Sequence, residues 1–204
     1  GTAPTTPLQV NQVYFGGYAY GNNSNHINTQ LKKDTISIDP AMATAEYIQG
    51  ATGHGFGNNN GTGVNPENCA EFCDKYYNLI VNNQARYQQT VWRDDCGSEP
   101  LYAQTGTWVY NRAGWCPGEA TMLEESNITN LVTAGQTANI DYGLTTATGT
   151  SSYIVNHQLV TYGAANHTLD ASIVDIISPT NSVKHARVGQ TCIDPTITLR
   201  NSGS

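Results

Sequence analysis

Residues 77–92 read YNLIVNNQARYQQTVW, and the alternation within this stretch decides the fold class. Tyr77, Leu79 and Val81 occupy every second position, which is the period of a β-strand with one buried face. The pair Asn82-Asn83 then favours a turn, because asparagine tolerates turn conformations. Another strand follows over residues 87–92. The stretch therefore predicts two β-strands joined by a turn.

Short segments of the same kind recur along the rest of the chain. They lie at residues 13–20, 36–38, 140–142, 153–162 and 171–177. Residues 41–49 fit a short helix, although Tyr47 and Ile48 fit a strand equally well. About eight short strands with irregular connections predict an all-β fold, an antiparallel sandwich of two sheets.

The composition excludes several classes of protein. Only 12% of the 204 residues are charged, and 9 Lys and Arg stand against 16 Asp and Glu. Scattered basic residues cannot form a stripe that follows nucleic-acid phosphates, so we expect no nucleic-acid partner. No apolar run reaches the roughly 18 residues of a membrane helix, so we expect no membrane span. Abundant Thr, Asn, Gly and Tyr are typical of a turn-rich β protein.

The cysteines indicate an oxidising compartment. They are Cys69, Cys73, Cys96, Cys116 and Cys192. The sequence has no Cys-x-x-Cys and no histidine at ligand spacing beside them, so a zinc site is disfavoured. The cysteines are either five small buried side chains or two disulfides and one unpaired thiol. The second interpretation predicts a secreted, periplasmic or cell-surface protein.

The two ends of the chain differ from its middle. Residues 1–11 are rich in Pro and Thr and predict a linker or an expression scar, with the sandwich over residues 12–178. Residues 179–204 begin with a polar stretch and end in a short alternating strand at 195–199. We expect a linker and then the first strand of a truncated following domain, with Cys192 unpaired because it lies there. The alternative is an edge strand of the same sandwich.

The segment at residues 69–73 holds the first candidate site residues. Four extended residues span roughly 13 Å, whereas the α-carbons of a disulfide lie about 4.4–6.8 Å apart. If Cys69 and Cys73 pair, the chain must coil and hold Glu71 and Phe72 outward. A rigid carboxylate beside an aromatic ring is a good binding element, although Glu71 could equally be a solvated charge on a turn.

The segment between Cys96 and Cys116 holds the other candidates, Trp108, Arg112 and Trp115. Aromatic faces stack on the apolar face of a sugar ring, and a guanidinium supplies fixed hydrogen-bond donors. This pattern favours sugar recognition. The alternative is that the tryptophans only fill the core.

Four motifs in this order resemble one known family, the second (C-terminal) jelly-roll domain of peptide-N-glycosidase F. The motifs are CAEFC at 69–73, WRDDC at 92–96, QTGTW at 104–108 and RAGWCPG at 112–118. The resemblance covers residues 52–118 by motif and residues 12–178 by strand pattern. It implies an antiparallel eight-stranded jelly-roll sandwich with disulfides Cys69–Cys73 and Cys96–Cys116.

The resemblance also implies an activity. Enzymes of that family hydrolyse the amide between N-acetylglucosamine and asparagine, at the junction of two jelly rolls. Glu71 matches an assisting catalytic carboxylate, and Arg112 matches a substrate contact with Trp115 beside it. His54 stands where the family has a substrate-facing tryptophan, and Phe72 and Trp108 complete the expected substrate-binding set. These residues would be the substrate contacts of an N-glycan or glycopeptide.

One family motif is missing from this sequence. The acidic, tryptophan-containing stretch of the first domain, which carries the main catalytic Asp, does not occur. We therefore expect one half of a secreted N-glycan-releasing amidase, inactive without an upstream jelly-roll domain of the same full-length chain.

Two alternatives remain open. The jelly roll could bind a glycan or glycopeptide without chemistry. It could also be a relative of the copper-dependent monooxygenases that share the fold, whose chemistry needs a His-x-His pair and a Met. The nearest candidate, His54-Gly55-Phe56, is one histidine short, so we expect no metal and no cofactor.

Overall fold

The structure is a computed structural model that describes residues 3–55, 69–98, 106–144, 148–168, 171–178 and 195–201. Strands dominate these ranges: β1 Pro7–Gly21, β2 Asp34–Ser37, β3 Thr44–His54, β4 Tyr76–Val81, β5 Gln84–Thr90, β6 Glu124–Asn127, β7 Thr137–Leu144, β8 Gly149–Tyr162, β9 Ala171–Ser178 and β10 Thr196–Asn201. The helical segments are short: α1 Ile27–Gln30 and 3₁₀ turns at Cys96–Ser98, Gly106–Val109 and Thr129–Leu131. Among the described residues, no helix is long and apolar enough to cross a membrane.

Two four-stranded antiparallel sheets make the sandwich. Their strand orders are β1-β8-β3-β6 and β2-β7-β4-β5. Every neighbouring pair in both sheets runs antiparallel. The all-β, eight-stranded antiparallel sandwich predicted from the sequence is therefore confirmed.

The stretch at residues 77–92 forms two strands joined by a turn, although the second strand, β5, covers residues 84–90 and not the predicted 87–92. Tyr77, Leu79 and Val81 are all buried, and they pack into clusters that draw side chains from both sheets. Asn82 and Asn83 both adopt positive φ, 52° and 64°. A tight hairpin turn of type I′ needs positive φ at both central residues, because its twist then matches that of the flanking strands. This hairpin joins β4 to β5.

One strand of the sandwich lies where the sequence shows no alternation of apolar and polar residues. Residues 124–127 read EESN and carry no apolar alternation, yet they form β6 and pair with β3. Only Ser126 of this edge strand is buried, so hydrophobic periodicity has nothing to detect. Residues 41–49, which fitted either a helix or a strand, belong largely to β3.

The boundary expected at the amino end is wrong. β1 begins at Pro7, and residues 7–11 pair with β8, so this part of the expected linker over 1–11 belongs to the sheet. β1 is an edge strand in which the alternation of buried residues is weak. The Pro and Thr content of residues 1–7 therefore predicts a linker more strongly than the weak alternation predicts a strand.

The last two strands form a sheet of their own. β10 pairs antiparallel with β9, with Ile197 opposite Ile176 and Leu199 opposite Ile173. Residues 171–177, expected in the sandwich, thus join neither four-stranded sheet, because period-two alternation identifies a strand but not its neighbours. Residues 179–194, with Cys192, lie outside the described residues. The following domain stays a prediction.

Candidate functional site

Two disulfides hold the loops that carry the candidate residues. Cys69 is bonded to Cys73, with α-carbons 5.8 Å apart, and Cys96 is bonded to Cys116, with α-carbons 5.2 Å apart. Both distances fall in the usual range for disulfides. These are the two pairs that the family resemblance implies.

Backbone hydrogen bonds tie both loops to the end of β3. The Gly55 carbonyl accepts from the amides of Ala70 (3.0 Å) and Glu71 (3.1 Å). The Ala113 amide donates to the Glu71 carbonyl at 2.8 Å, and the Gly53 amide donates to the Ala113 carbonyl at 3.0 Å. The two loops and the strand end therefore form one connected unit, which fixes where their side chains point.

The centre of this unit is an ion pair. Arg112 Nη1 donates to Glu71 Oε1 at 3.1 Å, across 41 positions of sequence. The side chains are 3% and 16% exposed, respectively. Arg112 Nε donates to the Tyr110 carbonyl at 3.1 Å, and Nη2 donates to the Thr107 carbonyl. All three guanidinium nitrogens thus donate hydrogen bonds, and the ion pair joins the loop of Glu71 to the loop of Arg112.

Aromatic rings surround the guanidinium. Its central carbon lies 5.0 Å from the ring centroid of Phe72 and 4.7 Å from that of Trp115, within range for cation–π attraction. Trp115 Nε1 donates to the Gly53 carbonyl at 3.0 Å, so the orientation of the indole is fixed. The His54 ring lies 5.4 Å from the indole, with 30° between the two planes.

His54 is half-buried and neutral in character. Its Nε2 lies 2.9 Å from Thr52 Oγ1. Burial lowers the pKa of His54, and the nearby Glu71 carboxylate opposes that shift without reversing it. Near neutral pH the imidazole therefore presents a flat, uncharged surface beside Trp115.

Trp108 lies at the margin of the cluster. It is half-buried in the 3₁₀ segment Gly106–Val109, one residue after the Thr107 carbonyl that accepts from Arg112. The structure thus brings together Glu71, Phe72, Arg112, Trp115 and His54, with Trp108 next to them.

Arg93 is a supporting residue that sequence reasoning missed. Its backbone bridges that of Arg112. Its buried guanidinium donates to both Asp95 oxygens at 2.8 Å and to Glu119 Oε2 at 2.7 Å. The WRDDC motif hints at the Asp95 contact, but the Glu119 contact spans 26 positions and has no local signal. Arg93 holds the loop from which Arg112 projects.

Asp95, Cys96 and Cys116 form a group of potential metal ligands among the described residues. The two cysteines are bonded to each other, so neither offers the thiolate that a metal would bind. The chemistry of the group therefore does not fit a metal centre while the disulfide is intact.

Gly114 controls how closely the loop approaches β3, which leads to a stability prediction. Its φ is +75°, and a Cβ there would lie 2.0 Å from the Ala51 carbonyl oxygen. We expect Gly114→Ala to lower the free energy of unfolding by about 2 kcal/mol or more, because the backbone must move. Urea denaturation followed by circular dichroism measures this.

The matched control is Gly17→Ala, where a Cβ would meet nothing within 4 Å. It should change stability by less than about 1 kcal/mol. Equal losses for the two variants would contradict the tight packing of the loop on β3.

Comparison with known proteins identifies one family. A family model described as the C-terminal domain of peptide-N-glycosidase F matches residues 22–161. A peptide-N(4)-(N-acetyl-beta-D-glucosaminyl)asparagine amidase F of Elizabethkingia miricola is 28% identical over 136 residues. That alignment covers 66% of this chain and 36% of the relative.

Solved structures confirm the jelly-roll fold. PNGase F, a glycosylasparaginase from Flavobacterium meningosepticum, superposes with a TM-score of 0.64 at 22% identity, covering 76% of this chain and 51% of that one. The structure of PNGF-II superposes with a TM-score of 0.55 at 20% identity, covering 79% and 31%. The chain therefore spans about half the length of the first solved structure and about a third of the second. It also spans about a third of the curated amidase.

Proposed function

Because this chain belongs to the family of peptide-N-glycosidase F C-terminal domains, we propose that it is one half of an N-glycan-releasing amidase. The reaction is hydrolysis of the amide that joins N-acetylglucosamine to an asparagine side chain. The substrate is an N-glycan on a glycoprotein or glycopeptide. The observation that carries the proposal is the Glu71–Arg112 pair, set among Trp115, Phe72 and His54.

Glu71 is the proposed catalytic residue of this half. Its Oε1 accepts a hydrogen bond from Arg112. Its Oε2 lies 3.5 Å from the Gly55 amide nitrogen, and because this contact is long, Oε2 can accept a hydrogen bond from another donor. That donor is the substrate amide, a sugar hydroxyl or the attacking water. A carboxylate that is already oriented loses little freedom when the substrate binds, which favours the reaction.

Arg112 acts as a positioning residue in this proposal. Its side chain is buried, and its three nitrogens already donate to Glu71, Tyr110 and Thr107. A guanidinium so engaged has little surface to offer a sugar. The burial of Arg112 therefore supports a role in orienting the Glu71 carboxylate, in place of the direct substrate contact that the resemblance implies.

The rings of Trp115 and His54 are the proposed sugar platform. Both are half-buried, and the indole cannot turn away because its Nε1 is bonded to Gly53. An aromatic face of this kind packs on the apolar face of a pyranose ring. Phe72, on the short disulfide loop, and Trp108, in the 3₁₀ segment, are the further proposed substrate contacts.

An upstream jelly-roll domain completes the proposed site. One wall with one carboxylate leaves a sugar open to water, whereas amide hydrolysis needs enclosure and further charged groups. The chain spans 36% of the curated relative, which leaves room for such a domain in a longer protein. Two disulfides support a secreted, periplasmic or cell-surface location.

A glycan-binding module without chemistry is the second candidate. The observation that favours it is the pairing of Glu71 with Arg112, because a carboxylate held by a guanidinium is a good hydrogen-bond acceptor for a sugar hydroxyl. Such a module would need the aromatic platform but no second acid.

Glycan release from a denatured glycoprotein, followed by mass spectrometry, separates the two functions. We expect no release by this chain alone and release by a longer chain that includes the upstream jelly-roll domain. Release by the short chain would place the main catalytic acid within these 204 residues. No release by the extended chain would favour the binding module.

A further inference from the structure

A cavity lies beside the loop that carries Arg112, and Gly114 of that loop is one of its lining residues. It has a volume of about 180 Å³ and lies between the two sheets. Its walls come from β3, β4, β7 and β8, from the segment after β5 and from the segment before β6. Gly114 contributes to this wall, whereas Glu71, Arg112 and Trp115 do not line the cavity. The cavity is therefore separate from the surface around Glu71.

One end of the cavity is polar. The Tyr77 hydroxyl donates to Glu124 Oε2 at 2.5 Å, and Gln49 Nε2 lies 3.5 Å from the same oxygen. Gln49 Nε2 also donates to Gln89 Oε1. Burial, with the Glu124 carboxylate nearby, raises the pKa of Tyr77, so this hydroxyl keeps its proton and stays a donor. Glu124 lines the cavity, so its carboxylate places an acceptor on this wall.

Gln49, Tyr142 and His157 line the cavity, and each carries a buried polar atom that has no partner within the described part of the chain. These atoms are Oε1 of Gln49, the hydroxyl of Tyr142 and Nε2 of His157, in residues that are 2%, 1% and 0% exposed. Native proteins pair nearly all such atoms, because each unpaired one costs about 1–3 kcal/mol. Their presence on one wall points to a polar ligand that supplies the missing hydrogen bonds.

Most of the remaining wall is apolar. Trp92, Met122 and Leu123 line it, and the last two are exposed. At roughly 30 Å³ for each water molecule of the liquid, the volume corresponds to about six waters or one small ring. Apolar walls beside a few converging acceptors and a hydroxyl are the usual composition of a small-ligand site.

The charges on the wall favour a neutral ligand. Arg93 and Glu124 both line the cavity, and their charges are opposite. A neutral sugar ring has an apolar face that can pack on the apolar wall. Its hydroxyls can donate to the acceptors on the polar wall. We propose that this cavity binds a single neutral sugar ring, through Gln49, Glu124 and Tyr142. The inference does not depend on catalysis at Glu71, and either proposal can fail alone.

The test is an NMR titration of the ¹⁵N-labelled chain with N-acetylglucosamine. We expect shifts at the amides of residues 49–51 and 122–124. Tyr142→Phe should raise the Kd by about threefold to tenfold, the loss of one hydrogen bond. The matched control is Tyr14→Phe, since the Tyr14 hydroxyl is also buried and unpartnered among the described residues but does not line the cavity.

Both variants should fold as well as the parent, because neither hydroxyl that is removed has a protein partner among the described residues. Thermal unfolding checks this. Shifts confined to residues 53–55 and 70–72, none of which lines the cavity, would place the sugar at the surface around Glu71 and overturn the proposal. Equal effects of Tyr14→Phe and Tyr142→Phe, no shifts at all, or shifts with methylammonium but not with the sugar would overturn it too.

Discussion

Glu71→Gln, in the chain extended through the upstream jelly roll, is expected to lower the rate of glycan release by about 10²-fold or more. The amide keeps one oxygen for Arg112 Nη1 but replaces the other with a donor. In the parent chain, Oε2 accepts a hydrogen bond from the substrate amide, a sugar hydroxyl or the attacking water. In the variant, the same donor faces an NH₂ group, which cannot accept that hydrogen bond. Single-turnover release of glycan, measured by mass spectrometry, separates this loss from slower product release.

The control for this substitution is Glu125→Gln on β6. Glu125 is 53% exposed, and its contact with Arg200 is 3.7 Å, so the change touches neither the core nor the site. It should leave glycan release unchanged. Full activity of the Glu71→Gln chain would remove Glu71 from the chemistry, and equal losses in both variants would show an effect of charge alone.

Arg112→Leu is expected to lower the free energy of unfolding of the isolated chain by about 3–5 kcal/mol. The substitution leaves Glu71 largely buried without its partner, and it removes the donors from the Tyr110 and Thr107 carbonyls. Removing one partner of a buried ion pair has a cost of this size, because the remaining charge has no compensation. Urea denaturation followed by circular dichroism gives the value.

Arg200→Leu is the matched control. Arg200 is 53% exposed and pairs with Glu125 only at 3.7 Å, so its loss should matter by less than about 1 kcal/mol. A loss below about 1 kcal/mol for Arg112→Leu would contradict the view that Arg112 holds the two loops together. Arg112 would then be open to a direct substrate role.

Local pattern alone determined the class of fold and the identity of the site loops. Tyr77, Leu79 and Val81 report a buried strand face, and Asn82-Asn83 report the turn. Both signals depend on neighbours along the chain, which is why they can be read before the fold is known. The motifs CAEFC and RAGWCPG named the residues that the structure brings together.

Only the tertiary structure decided how those residues are arranged. Glu71 and Arg112 meet across 41 positions because the end of β3 hydrogen-bonds to both loops, and no local pattern encodes that approach. The same holds for the burial of Arg112, which favours positioning over direct contact. Periodicity reports which face of a strand is buried, but the partner across the sheet is set by the path of the chain.

The edges of the sandwich show the same division. β6 carries no apolar alternation and was found only through its pairing with β3, while β9 alternates and yet pairs with β10 outside both main sheets. The cavity near Gln49 likewise depends on residues from seven separate segments. A sequence determines which side chains avoid water; the packing of two sheets determines which of them face one another, because that contact is made between residues far apart in the chain.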